Sequence, residues 1–61
     1  MWKVWNRAEI EGTLYICWKG KDAEGRTIWA FTKDKREPVA GYPSRPTALR
    51  VFFENQMDER A

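Results

Sequence analysis

Polar and apolar side chains alternate along most of the first half of the chain, which is the pattern of half-buried β-strands. The alternation is clearest over residues 13 to 19 and resumes over residues 26 to 32, after the charged turn KDAEG. These two segments predict a β-hairpin. Residues 2 to 7 predict an earlier strand because Trp and Val favour sheets. A turn at Gly12 follows it, and a single helical turn over residues 7 to 11 is the alternative.

The middle of the chain predicts turns and an edge segment. The run KDKRE forms a second charged turn, and the segment PVAGY after it predicts a short fourth strand. Proline has no amide hydrogen to donate. Pro38 therefore requires either that this strand lie at a sheet edge or that Pro38 be the strand's first residue.

The last third of the chain predicts the only helix. Its apolar residues recur at i, i+3, i+4 and i+8 and form one stripe, which we expect to be core: Leu49, Phe52, Phe53 and Met57. Ser44 or Thr47 can cap the first free amides, and Pro46 suits the first turn. Because proline disfavours helical dihedrals in the residue before it, we expect the helix to begin at Pro46 or Thr47.

Together these elements predict an α+β fold. It is a small antiparallel meander sheet of three to four strands, with one C-terminal helix packed on one face. A chain of 61 residues has material for one core, so residues 1 to 61 form a single domain. One helix covers only one face of such a sheet, and the other face is left uncovered.

The register of the hairpin decides which side chains share a face. Asp22 and Gly25 have the chemistry of a type I turn followed by a bulge, which pairs Asp22 with Arg26. A four-residue loop that pairs Lys21 with Arg26 is the competitor. We favour the bulge because Asp-x-x-Gly is the usual sequence of that turn.

In the favoured register, residues of equal parity lie on one face. The side expected under the helix consists of Leu14, Ile16, Trp18, Ile28 and Ala30. The side expected to face water consists of Tyr15, Cys17, Lys19, Trp29 and Phe31. The competing register would instead place Trp18 beside Trp29 under the helix, and would expose a plainer face of Tyr15, Cys17, Ile28 and Ala30.

Composition narrows the chemistry. Cys17 is the only cysteine and the chain has no histidine, so neither an internal disulfide nor a Cys/His zinc site can form within one chain. Four Trp, two Tyr and three Phe must supply the core. No signal peptide or membrane segment is recognisable, which predicts a cytoplasmic location. We expect no metal, no small-molecule cofactor and no membrane contact.

The candidate catalytic groups favour a non-enzymatic protein. Cys17 has no histidine to act as its base and is expected to be a small, half-buried hydrophobe. The carboxylates of Glu9 and Glu11, or of Asp22 and Glu24, lie in turns or at strand ends and are expected to be solvated.

Charge suggests a partner only through its distribution. The formal net charge is +2, but residues 26 to 50 carry six basic and two acidic side chains. An aromatic, lysine-flanked sheet face can stack bases and hold phosphates, which predicts single-stranded nucleic-acid binding. The predicted stacking residues are Tyr15, Trp29 and Phe31, and the predicted phosphate contacts are Lys19, Arg26, Lys33, Lys35, Arg36, Arg45 and Arg50.

A protein-interaction module is the alternative. An apolar face on so small a chain is more often covered than bare. The apolar face would then form the contact of a homodimer, or the contact through which a small regulator or inhibitor binds a larger protein, as in compact mobile-element proteins.

The hairpin WKGKDAEGRTIWAF followed by PVAGYPSRPTALRVFFE resembles, in pattern, small DNA-binding domains of three strands and one helix. Examples are the arm-binding domains of tyrosine recombinases and the plant ethylene-response type. The resemblance covers about two thirds of the chain and implies strand contacts to DNA from Trp18, Lys19, Arg26 and Trp29. The middle strand lacks the run of arginines of those families, and no family is assigned.

Overall fold

The computed structural model describes the backbone of residues 2 to 60 and the side chains of residues 2 to 55. Three strands, β1 (Trp2–Ile10), β2 (Thr13–Lys21) and β3 (Thr27–Lys33), precede one helix, α1 (Arg45–Arg60). The strands form one antiparallel sheet in the order β1-β2-β3, and α1 contacts β3. The predicted α+β fold, a meander sheet followed by a C-terminal helix, is confirmed.

The first hairpin closes through a two-residue turn. Glu11 and Gly12 have φ angles of 51° and 82°, the left-handed pair that matches the twist of a hairpin. β1 extends to Ile10, so the alternative of a helical turn before β2 was wrong. A bulge between Val4 and Asn6 shifts the pairing of β1 with β2 by one residue. Trp5 is the extra residue at that bulge.

The second hairpin has the predicted turn. The Gly25 N–H donates to the Asp22 carbonyl and the Asp22 N–H donates to the Arg26 carbonyl, both at 3.0 Å. Gly25 has a φ angle of 80°, and Asp22 Oδ1 accepts bonds from the N–H groups of Glu24 and Arg26 at 2.9 Å. Trp18 pairs with Ala30 in the resulting register. The bulge register is therefore confirmed, and the four-residue loop is wrong.

The helix lies on the face that was expected to face water. The Phe52 ring lies 6.0 Å from the Tyr15 ring and 6.4 Å from the Phe31 ring. Parity groups side chains into faces but does not say which face a helix selects. The large aromatic side chains of Tyr15 and Phe31 pack against Phe52 and fill the space between the sheet and the helix. We call this side the helix side.

The helix begins one residue earlier than expected, at Arg45. Ser44 caps it: the Thr47 N–H donates to Ser44 Oγ at 3.3 Å, and the Ala48 N–H donates to the Ser44 carbonyl at 3.0 Å. Pro46 is then the second helical residue, where it also has no intrahelical bond to lose. The cap outweighs the preference of Arg45 for extended dihedrals.

The buried stripe of α1 is displaced from the predicted one. Ala48 is the most buried helical residue at 1% exposure, whereas Phe53 is 56% exposed and Leu49 38%. Phe52 and Val51 are half-buried. A small Ala48 at the contact allows the helix to approach β3 closely, which rotates Phe53 toward water. Met57 lies outside the described side chains.

The predicted fourth strand is reduced to one bridge. The Trp29 N–H donates to the Tyr42 carbonyl and the Tyr42 N–H donates to the Trp29 carbonyl, both at 2.8 Å. No regular strand forms between β3 and α1. Pro38 and the turns around it explain why the pairing is so short.

The opposite side of the sheet carries no helix. Its apolar residues on the strands are Trp2, Val4, Leu14, Ile16, Trp18, Ile28 and Ala30. Trp18 Nε1 donates to Thr32 Oγ1 at 2.8 Å, so the indole lies over the sheet and helps to bury Ala30 and Thr32. The face expected to be covered is therefore closed by its own tryptophans and by the segment at Gly41, which approaches Ile28 and Trp2.

Candidate functional site

The helix side contains a groove between α1 and β1. It arises because α1 lies along β3 and leaves the β1 half of the sheet uncovered. The groove has a volume of about 400 Å³. We call it the helix-side groove, and it is lined by Trp5, Asn6, Cys17, Phe31, Arg45, Pro46 and Leu49.

One end of the groove is a cluster of aromatic rings and cations. The Trp5 and Trp29 rings meet edge to face, with centroids 5.4 Å apart and an interplanar angle of 87°. The guanidinium carbon of Arg45 lies 4.4 Å from the Trp5 centroid and 5.8 Å from that of Trp29. Lys19 Nζ lies 5.5 Å from the Trp29 centroid. These are cation–π distances, and they fix both cations beside the indoles.

Lysines continue this positive charge across the strands. Lys3 of β1 pairs directly with Lys19 of β2, and Lys21, two residues further along β2, shares their face. The Lys21 Nζ donates to Thr27 Oγ1 at 2.9 Å. With Lys33 of β3, these lysines are the only ionised strand side chains that the register places on the helix side. Every acidic side chain of the strands and of the hairpin turns lies elsewhere.

Cys17 forms the floor of the groove. Its side chain is 5% exposed, and this burial raises the pKa of the thiol, with the nearby charge of Arg45 acting weakly in the opposite direction. The thiol is therefore neutral near pH 7, and the floor is apolar. This position suits packing and not nucleophilic chemistry.

The three predicted stacking residues do not form an open platform. Tyr15 and Phe31 are half-buried against Phe52, and Trp29 is half-buried between Trp5, Lys19 and Arg45. Their interpretation as a bare aromatic face was wrong because the helix selected that face. Phe31 nevertheless forms part of the wall of the helix-side groove.

The predicted basic residues fall into separate groups. Lys19 and Arg45 come together at the groove. Arg26 pairs with Glu24 at 2.8 Å, and Arg50 with Glu54 at 3.3 Å. Lys33 is the last residue of β3, and Lys35 and Arg36 follow it. Arg36 and Lys33 line a second cavity of about 340 Å³ together with Glu37.

Sequence reasoning missed Trp5, Lys3 and Asn6 as site residues. Residues 2 to 7 were predicted as a strand, and regular alternation along a strand puts Lys3 and Trp5 on one face, which was the available signal. The bulge that brings Asn6 to the same side has no signature in the sequence. Trp5 is the most informative omission, because it is 47% exposed and borders the groove.

Other kinds of site find no support within the described residues. No group of three acidic or cysteine side chains gathers there as metal ligands. No helix in that part of the chain has the length and apolar content that crossing a membrane requires. Comparison with known proteins finds no matching family model, no matching curated protein and no matching solved structure.

Proposed function

We propose that this protein binds single-stranded nucleic acid across the helix-side groove. The observation that carries the proposal is the pairing of Lys3 with Lys19 beside the cluster of Trp5, Trp29 and Arg45. The proposal keeps the nucleic-acid hypothesis but moves the binding site from an open sheet face to the groove.

The lysine pair supports an anionic ligand. Like charges directly opposite each other on paired strands repel and destabilise the sheet. Lys3 and Lys19 hold this arrangement on a face where the strands supply no carboxylate. A phosphate between the two ammonium groups relieves the repulsion, and the phosphates of a nucleic acid also release condensed counterions.

The groove supports a single strand. Its walls offer the aromatic side chains of Trp5 and Phe31 and the apolar side chain of Leu49, and unpaired bases stack on aromatic rings. The side-chain oxygen Oδ1 of Asn6 accepts a bond from the Arg7 N–H at 2.9 Å, which leaves the side-chain nitrogen Nδ2 of Asn6 as a donor. A duplex would keep its bases stacked on each other and out of the groove.

Charge removal at Lys19 tests the phosphate contact. We expect Lys19→Gln to weaken binding of a mixed-sequence DNA oligonucleotide several-fold at low salt. We also expect it to reduce the slope of log K against log salt by about 0.7, the value of one phosphate contact on a single strand. Lys35→Gln, which removes the same charge beyond β3, should leave both unchanged. Equal losses in both variants, or no binding by the wild type at low salt, would contradict the proposal.

Ring removal at Trp5 tests the stacking contact. Trp5→Leu keeps an apolar side chain against Trp29 but removes the ring, and we expect it to cost about 1–3 kcal/mol of binding free energy. Trp5→Phe should retain most of the affinity. Fluorescence anisotropy of a labelled oligonucleotide measures both, and an unchanged salt slope in Trp5→Leu separates stacking from charge. Equal affinities of the two variants would rule out a stacked base at Trp5.

A protein partner on the opposite side of the sheet is the second candidate. Val4 is 49% exposed there, among the half-buried Trp2, Trp18 and Ile28, and adjoining apolar side chains of this kind mark contact surfaces. We expect Val4→Lys to abolish association through this face and to leave oligonucleotide binding intact. Association that survives Val4→Lys would exclude this face.

A further inference from the structure

The outer edge of β1 is open. Within the part of the chain that the structure describes, β1 lies at the end of the sheet and pairs only with β2, and its residues from Lys3 to Ile10 are exposed. Long open edges are usually protected by lysine, proline or a bulge. Lys3 and the bulge at Trp5 protect the first half. Residues 6 to 10 have neither lysine nor proline.

The hydrogen-bond pattern shows which groups of β1 point outward. The Leu14 carbonyl accepts the Asp34 N–H at 2.7 Å, so even-numbered residues of β2 bond toward β3 and odd-numbered ones toward β1. The β1 partners of those odd residues, Asn6, Ala8 and Ile10, bond inward. The N–H and carbonyl groups of Arg7 and Glu9 therefore point away from the sheet. The Arg7 N–H donates to Oδ1 of the exposed Asn6 side chain at 2.9 Å, a local bond that pairing with another strand would replace.

We propose that two copies of this chain associate through residues 6 to 10 of β1. The two strands run antiparallel around a twofold axis at Ala8, with Arg7 of each copy opposite Glu9 of the other. The product is a continuous sheet of six strands, three from each copy. This inference does not rest on the proposed nucleic-acid function.

Charge complementarity selects this register. Outward-bonding residues must pair with outward-bonding residues, so the alternatives differ by a two-residue shift. One such shift places Arg7 opposite Arg7, and the other places Glu9 opposite Glu9. Like charges directly opposite destabilise a strand pair, whereas opposite charges stabilise it. Only the register centred on Ala8 forms two Arg–Glu pairs.

The surroundings of the edge also suit a second copy. The axis passes between two Ala8 side chains, which are small enough for the close spacing of that pair. The bulge at Trp5 and the turn at Glu11 and Gly12 limit the paired segment at its two ends. The helix contacts β3, at the far edge of the sheet, and leaves the approach to β1 clear.

Sedimentation equilibrium of the full chain over a wide concentration range tests the proposal. We expect the wild type to form dimers at high concentration, because such a small contact is weak. Arg7→Glu and Glu9→Arg each place two like charges opposite each other, and each should raise the dimer dissociation constant about tenfold or more. Arg50→Glu and Glu54→Arg make the same changes in net charge on the exposed face of α1 and should leave dimerisation unchanged.

Mixing provides the decisive arm. In an equimolar mixture of Arg7→Glu with Glu9→Arg, every pair across the edge is again complementary, so the mixture should dimerise although neither variant does so alone. The double variant, with both substitutions in one chain, should also dimerise. A wild type that stays monomeric throughout overturns the proposal. So does a dimer that ignores the single substitutions, or a mixture that fails to associate.

Discussion

Gly41 shows how one absent side chain allows two elements to meet. A Cβ placed there would lie 2.5 Å from Ile28 Cδ1 and 2.9 Å from both Ile28 Cβ and a Trp2 ring carbon. The segment that leads to α1 can therefore approach the sheet only as glycine. The sequence placed Gly41 within the segment PVAGY, and its contact with Ile28 and Trp2 depends on a register that composition does not fix.

We expect Gly41→Ala to destabilise the protein by about 1–3 kcal/mol, the usual cost of overpacking. Urea unfolding measures the change. Ile28→Val removes the nearest colliding atom, so the double variant should lose less stability than the sum of the two single variants. Gly12→Ala is the control, because its added methyl would meet nothing within 4 Å and Ile28→Val should not rescue it. Strict additivity for Gly41→Ala would contradict the close approach.

At the scale of elements, the sequence predicted the turn that local contacts close, but it did not predict which face of the sheet the helix covers. The turn at Asp22 and Gly25 followed from its sequence because every bond that closes it is local. The choice of helix face depends on how Phe52 fits between Tyr15 and Phe31. Both faces of the sheet are apolar in this chain, so alternation alone leaves that choice open. The groove could not be foreseen because it follows from the same choice.

The helix cap is an element-scale contact with a measurable effect. We expect Ser44→Ala to cost about 0.5–2 kcal/mol of unfolding free energy, because the Thr47 N–H loses its acceptor. Ser44→Asp replaces that acceptor and should retain most of the stability. Thermal or urea unfolding measures both. Equal losses in the two variants would show that the hydroxyl acts through packing and not as a cap.

At the scale of the whole molecule, the sheet is the stable layer and its two edges differ. β2 is paired on both sides, β3 is partly protected by Tyr42 and α1, and β1 has one open edge. The sequence established that one helix cannot cover both faces. It did not reveal that this helix would lie along one strand and leave β1 accessible from its edge and from the groove.

Amide exchange should report this difference along β1. We expect the N–H groups of Ala8 and Ile10, which bond inward, to exchange slowly, and that of Glu9 to exchange fast at low protein concentration. The Arg7 N–H, which donates to the Asn6 side chain, should exchange faster than the two inward groups because that acceptor is exposed. NMR measurement of exchange at several concentrations follows them singly. Dimerisation through β1 should slow exchange at Arg7 and Glu9 as concentration rises. Uniform exchange along residues 7 to 10 would contradict the assigned hydrogen-bond pattern.

The bulge at Trp5 bears on where the charges of β1 lie: Lys3 is on the helix side, and Arg7 and Glu9 are on the opposite side. If β1 kept Trp5 but alternated regularly without a bulge, Arg7 and Glu9 would lie on the side of Lys3, and a carboxylate would lie among the lysines. The bulge therefore keeps residues 6 to 10 on the faces that a strand without Trp5 would give them, because Val4 and Asn6 pair with the consecutive residues Trp18 and Cys17 of β2. By absorbing one additional residue, the bulge keeps the Glu9 carboxylate off the face that carries the groove.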